Sequence, residues 1–279
     1  MTQGTVFSCA KSIRYSKCDV FGLTITARCD VAQDKYPVLN YLPVVKLQDW
    51  LRRDGLDILV SQERNEQNGR LRSILKSADV SDALIGSIPL SDIAEIHFPI
   101  KEGEKTKNKI SEQFRDHIVS MKEFEELNEK NDFNLIYTWF RDKKPKSIET
   151  LIKRLIRHEV LGYYILESLS IDDTREIGFV CLLREVQTLP RSISTQLGKG
   201  IDHETYHDLC ENISLAFNLD IPRGEMAMPI VEVYSPTIEH ILQAFSHLFG
   251  RIGVADPRPE SVSAFLSDSL KNNRGGQEE

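Results

Sequence analysis

The chain has 279 residues, 41% hydrophobic and 28% charged, with a formal net charge of −7. That balance excludes wholesale disorder and argues against a protein that coats nucleic acid over its whole surface. No apolar run reaches the ~20 residues of a membrane span, the opening MTQGTVFSCAKSIRYSK lacks a signal-peptide core, and five cysteines without framework spacing suit a reducing interior. The expectation is a cytoplasmic protein with no membrane partner.

Thr5 to Cys9 reads as a short edge strand. From Cys18, the apolar Phe21, Leu23, Ile25 and Ala27 alternate with Gly22, Thr24, Thr26 and Arg28. A period of two puts one set on each face of a strand. A turn at AQDK and a second β-rich run over 37–45 follow. The polar strip Thr24, Thr26, Arg28 and Asp30 is then a candidate binding face opposite the core. Cys18-Asp19 and Cys29-Asp30 bracket the strand, and an extended chain would hold the two thiols roughly 30 Å apart, too far to share a metal.

Leu47, Trp50 and Leu51 begin a short helix that Gly55 can end. Residues 51–158 then read as an inserted helical subdomain. Its helical-period positions include Ile58, Leu59, Leu71, Ile74 and Leu75, interrupted by SQERNEQNGR. KEGEKTKNK reads as a charged loop. Ile110, Phe114, Ile118, Met121 and Phe124 mark an amphipathic helix, and another is expected from an N-cap at Ser147.

Strands return over 162–168, 178–186 and 226–234, where Pro229 favours an edge or bulge. Residues 190–218 read as helix broken near Gly198. Ser235-Pro236 opens a last amphipathic helix with Ile238, Ile241, Leu242, Phe245, Leu248 and Phe249, stopped by Gly250. A weak helix over 262–270 and a solvated tail end the chain. The expected fold is α+β: a small split β-barrel or curved antiparallel sheet, with strands near 20–45 and 162–234. The division is 1–50 with 159–256 as β core, 51–158 as insertion, and 257–279 as tail. A long insertion costs little closure entropy.

Two local patterns suggest chemistry. His203-Glu204-Thr205-Tyr206-His207 is an HExxH, in which residues four apart share a helix face and the glutamate can activate a zinc-bound water. Asp202 and Asp208 flank it where such helices carry apolar residues, and no third ligand stands out among Glu225, Glu232, Glu239 and His240. The basic run Arg141, Lys143, Lys144, Lys146, Lys153, Arg154 and Arg157, after Trp139 and Phe140, could neutralise phosphates beside a stacking ring, making 141–157 a nucleic-acid face. Its bland counterpart is the solvated side of a helix. Phosphate-cradling glycine loops, G-x-S-x-G elbows and paired C-x-x-C motifs are absent from the sequence.

The TxxCD ending of the first strand and the closing SPTIEHILQAFSHLFGRIGV resemble uncharacterised bacterial proteins that look like accessory components of defence-type gene clusters. LLREVQTLPRSIS is distantly similar to PemK-like toxin barrels, which cleave RNA with strand-borne polar residues; that likeness transfers no catalytic residue. The reading is a non-enzymatic interaction or adaptor protein without a cofactor, whose partner is another protein or a second copy. Its motivation is two amphipathic helices, 110–127 and 236–250, with more apolar face than a small core needs. The alternatives are a zinc hydrolase through His203, Glu204 and His207, or a barrel nuclease using Thr26, Arg28 and Asp30.

Overall fold

The computed structural model describes residues 1–167, 169, 178–211 and 219–250; the weak helix expected over 262–270 lies outside them. The chain opens with β1 (Thr5–Phe7), β2 (Val20–Thr24), a short helix α1 (Arg28–Ala32) and β3 (Val38–Lys46). Helices follow: α2 (Leu47–Trp50), a π turn over Leu51–Gly55, α3 (Leu56–Ser77), α4 (Leu90–His97), α5 (Lys105–Glu129), α6 (Phe133–Lys143) and α7 (Pro145–Ile156). The chain then returns to strand with β4 (Tyr163–Leu166), β5 (Phe179–Leu182) and β6 (Gln187–Pro190). Last come α8 (Arg191–Leu197), β7 (Ile201–Asp202), α9 (His203–Glu211), β8 (Met226–Ala227), β9 (Pro229–Glu232) and α10 (Thr237–Phe249).

Strands from both ends of the sequence form one curled antiparallel half-barrel, ordered β4-β5-β3-β2-β1-β9, with β6 also on β3. The α+β fold with a curved, split sheet is therefore as the sequence predicts. β3 is the hub, pairing with β2 from Val20↔Val45 to Thr24↔Tyr41, with β5 at Val45↔Val180 and with β6 at Leu39↔Leu189. Pro229 sits on the edge strand β9, where the register shifts against β1 between Val6 and Phe7. A proline there deletes no interior ladder bond.

The sheet is buried on both faces. One side packs Phe7, Val20, Tyr41, Val45, Val180 and Leu182 against the helical block through Trp50, Leu59, Phe124, Phe140 and Leu155. The other packs Val6, Leu23, Leu42, Val44 and Cys181 under Ile238 and Ile241 of α10. A third core, around Leu71, Leu75, Ile93 and Phe114, joins α3, α4 and α5 farther out, with Phe98 and Phe114 stacked at 4.1 Å. The near part of the helical block thus shares its core with the sheet.

Several local expectations change. Gly55 does not stop a helix: its φ is −62°, and α2, the π turn and α3 run on without a break. The SQERNEQNGR stretch stays helical because its buried Glu63 and Gln67 bond to each other at 2.9 Å. Helix α5 begins within the expected charged loop. Helix α7 starts at Pro145 rather than after a Ser147 cap, using proline's fixed φ and missing donor at the first turn. Helix α6, capped by the Asp132 side chain on Asn134 and Leu135 N–H, and strand β6 are additional elements. The expected break after α8 is present at Gly198 to Gly200. Pro236 is the N-cap of α10 rather than its first helical residue.

Candidate interaction surface

The polar strip does not form one face. β2 ends at Thr24, and the chain enters α1 at Arg28. Thr24 is fully buried and its hydroxyl has no hydrogen-bond partner among the described residues. Thr26 Oγ1 accepts from Asn40 N–H at 2.7 Å, extending the β2–β3 ladder past its last residue pair. Arg28 and Asp30 are exposed on α1. Two members of the strip are scaffold and two are surface, because both sheet faces are covered and the strand is shorter than its alternation suggests.

HETYH does lie on a helix, at the start of α9. His203 Nδ1 meets the Ile221 carbonyl oxygen at 2.6 Å, which fixes Nδ1–H as the donor, and His207 Nδ1 lies 3.5 Å from Glu211. Tyr206 and Cys210 point inward. Zinc held for hydrolysis needs three protein ligands. Among the described residues no three His, Cys, Asp or Glu side chains gather to supply them.

The basic run is divided. Lys144 reaches across to α3, pairing with the buried Glu63 and, at 3.0 Å, with Glu66. Arg141 is bonded to Asp142 at 2.8 Å. Lys143, Lys146, Lys153 and Arg157 face solvent and Arg154 is half-buried. Neither ring is open for stacking on a base: Phe140 is buried, and Trp139 packs on Phe124 and Phe140 at 4.8 and 5.0 Å. The remaining cations are the solvated side of α6 and α7.

A polar cluster that the sequence does not single out lies at the π turn. Such turns occur as single-turn insertions, often where a side chain must be re-aimed. Here Asp54 is buried, with Arg14 at 2.7 Å and Asp57 bridging the same guanidinium at 2.8 Å. The Arg14–Asp54 contact is an ion pair without hydrogen-bond alignment, since Oδ1 has no bonded donor. Burial, and then the Asp54 charge, hold the Tyr15 and Tyr163 hydroxyls well above the ordinary phenol range. Burial does the same for Tyr41. These groups pin the loop before β2, and the start of β4, to the helix.

The sign of this effect gives a prediction. Unfolded phenols ionise near pH ~10. The folded phenols keep their protons above that, so the unfolded state binds fewer protons there and stability falls as pH rises. Below pH ~10 the contribution is fully present. Alkaline titration followed by phenolate absorbance should show tyrosines that ionise only as far-ultraviolet circular dichroism is lost. Free titration of all tyrosines in the folded protein would contradict the burial.

Both amphipathic helices spend most of their apolar faces inside, with Val119 of α5 and Phe249 of α10 left exposed. Phe114 and Phe124 of α5 enter two cores, and Ile238 and Ile241 of α10 cover the sheet. Other exposed apolar side chains are spread over several elements, and a regular row of them follows β8 and β9. Met226, Met228 and Ile230 stand at alternate positions with exposures of 50%, 47% and 46%, and Tyr234 beyond them reaches 69%. Between them Ala227 is buried and Val231 packs on the α10 side. Edge strands ordinarily carry lysine, charge or cover against pairing with other chains. β9 keeps Pro229 and the exposed Ile230, and the apolar row continues back to Met226 on β8, which pairs with β7.

Fold and surface together define an α+β half-barrel protein whose two edge strands, β4 and β9, have no further strand paired to them among the described residues. The chain matches no protein-family model, no curated protein and no solved structure. Among the described residues no helix is long and apolar enough to cross a membrane.

Proposed function

We infer that this protein is a non-enzymatic interaction component of the cytoplasm, whose contact surface is the apolar row along the β8–β9 edge. One observation carries the reading: Met226, Met228 and Ile230 are about half exposed in a row that runs from β8, which pairs with β7, into β9, whose outer side pairs with nothing among the described residues. Clustered exposed apolar side chains mark contact surfaces, whereas scattered ones need no explanation. Methionine suits such a surface because its flexible thioether adapts to the partner's shape.

The reading moves the contact from the two helices to the β8–β9 row, since most of the apolar face of α5 and α10 packs internally. The partner is another protein or a second copy of this chain. Light scattering on purified protein, with cross-linked capture from its own cells, tests it. A dimer or a captured complex is expected, and Met228→Lys/Ile230→Lys should dissociate it while leaving the melting curve unchanged. A strict monomer that captures nothing, or a variant that keeps the same complex, would overturn the reading.

A further inference from the structure

The two ends of the half-barrel face one another. β4 forms one edge of the sheet and β9 the other, and a groove of about 1010 Å³ lies between them. Its walls are consecutive residues of each segment, 164–167 on one side and 231–234 on the other. A sheet face presents alternate residues, so walls made of consecutive residues are the strand edges themselves. Antiparallel ladders turn every second N–H and C=O away from the neighbouring strand. Val233 N–H bonds inward to Gly4, which turns Glu232 outward; Leu183 N–H bonds to Gly162, which turns Ile165 outward on β4. The groove is therefore bordered by backbone donors and acceptors on both sides.

The lining selects further. Its floor is apolar, with Leu47, Ile152 and Ile156. Among the described residues that line it, the carboxylates are Glu167 and Glu232, without a lysine or arginine to balance them. Its imidazole is His158, stacked on Tyr164 at 4.2 Å and held below the usual histidine range by burial and then by His240. The described lining is thus net negative at neutral pH.

We propose that this seam receives an extended peptide strand from a protein partner, one in which apolar side chains alternate with lysine or arginine. The backbone borders select an extended chain, the floor selects apolar side chains, and the two glutamates select cations. This proposal deepens the interaction reading and rests on it. Each edge strand is four residues long, so a segment of ~13 Å would fill the seam at ~3.3 Å per residue. All pairings from β4 to β9 are antiparallel, which leaves the two edges running in opposite directions. A single incoming strand is antiparallel to one edge and parallel to the other, and β-strand addition of this kind draws its affinity from main-chain bonds.

The test uses the full chain and a fluorescent peptide pool of alternating apolar residues and lysine, read by anisotropy. Three comparisons are made: the same pool N-methylated at alternate amides, a pool with glutamate for lysine, and the Glu167→Lys/Glu232→Lys variant. The lysine pool should bind. N-methylation should weaken it by about tenfold or more, since one unmade backbone bond is worth ~1.4 kcal/mol. The glutamate pool should fail on the wild-type chain and improve on the variant. Equal affinity of the N-methylated pool, or no binding of any pool, would overturn the seam proposal. In those cases a complex still dissociated by Met228→Lys/Ile230→Lys leaves the interaction reading intact without the seam.

Discussion

Gly22→Ala should be among the most destabilising single changes in the sheet, costing about 3 kcal/mol. A β-carbon at Gly22 would lie 2.2 Å from Phe7 Cζ and 2.6 and 2.7 Å from its neighbouring ring atoms. Phe7 cannot retreat easily: it is fully buried and set edge-on to Tyr41 at 5.1 Å. The glycine is required here for close approach across the β1–β2 pair, where Phe7 faces Gly22 directly. For a chain of this size the loss corresponds to a melting point about 6–12 °C lower. Phe7→Leu in the Gly22→Ala background should restore at least half of it, because removing the ring removes the collision. Gly69→Ala is the control: no atom lies within 4 Å of its added carbon within α3. There the helix should gain up to about 1 kcal/mol. Thermal melts of the four proteins decide it, and a Gly22→Ala protein that melts with the wild type would contradict the packing described.

The second large effect is expected at Lys144, which joins the α6–α7 corner to α3. Its partner Glu63 has a side chain 5% exposed, whereas Lys144 is 33% exposed and also bonds Glu66 at 3.0 Å. Lys144→Met leaves a buried carboxylate without its counter-charge. The expected cost is about 3 kcal/mol, at the low end of the range for orphaned buried charges because water reaches the lysine side of the pair. Glu63→Leu with Lys144→Met removes both charges and should lie within ~1 kcal/mol of wild type. Urea unfolding of the two single variants and the double variant measures the coupling. Strictly additive losses would show that the pair does not act as a unit. The same experiment bears on nucleic-acid binding: a lysine already committed to two carboxylates contributes little to a phosphate-binding face.

Lys144 also illustrates why the candidate sites were only partly legible. In the sequence it stands among lysines and arginines and reads as one more solvated cation. Its partner is 81 residues earlier, and a local pattern carries no information about such a contact. Trp139 and Phe140 read as open rings for the same reason, until Phe124 is placed against them. HETYH was legible as a helix with its two histidines one turn apart. The need for a third ligand depends on chain segments elsewhere, and the described ones do not provide it.

Asp54 shows the opposite case. LRRDGLD carries no motif, and Gly55 suggested a helix end, yet the turn widens there and carries a buried aspartate to Arg14. The edge surface was half legible. Pro229 marked an edge strand from sequence alone, because a residue without N–H is excluded from an interior ladder. That Met226, Met228 and Ile230 stay exposed while the faces of α5 and α10 are used internally depends on which elements cover which.

The sequence by itself determined the element types: alternation in β2, the apolar stripes of α5, α7 and α10, the break near Gly198, and the split of strands to either end of the chain. These are local properties, written in periods of two and 3.6 residues. Only the tertiary structure decided that β3 joins the two halves into one curled sheet, that Thr24 and Gly22 are buried rather than lining a polar groove, and that β4 and β9 face each other across a seam. Periodicity reports that a side chain has a neighbour or lacks one on a given face. Which neighbour it is, and whether a second layer covers the other face, is set by contacts between residues far apart in the chain.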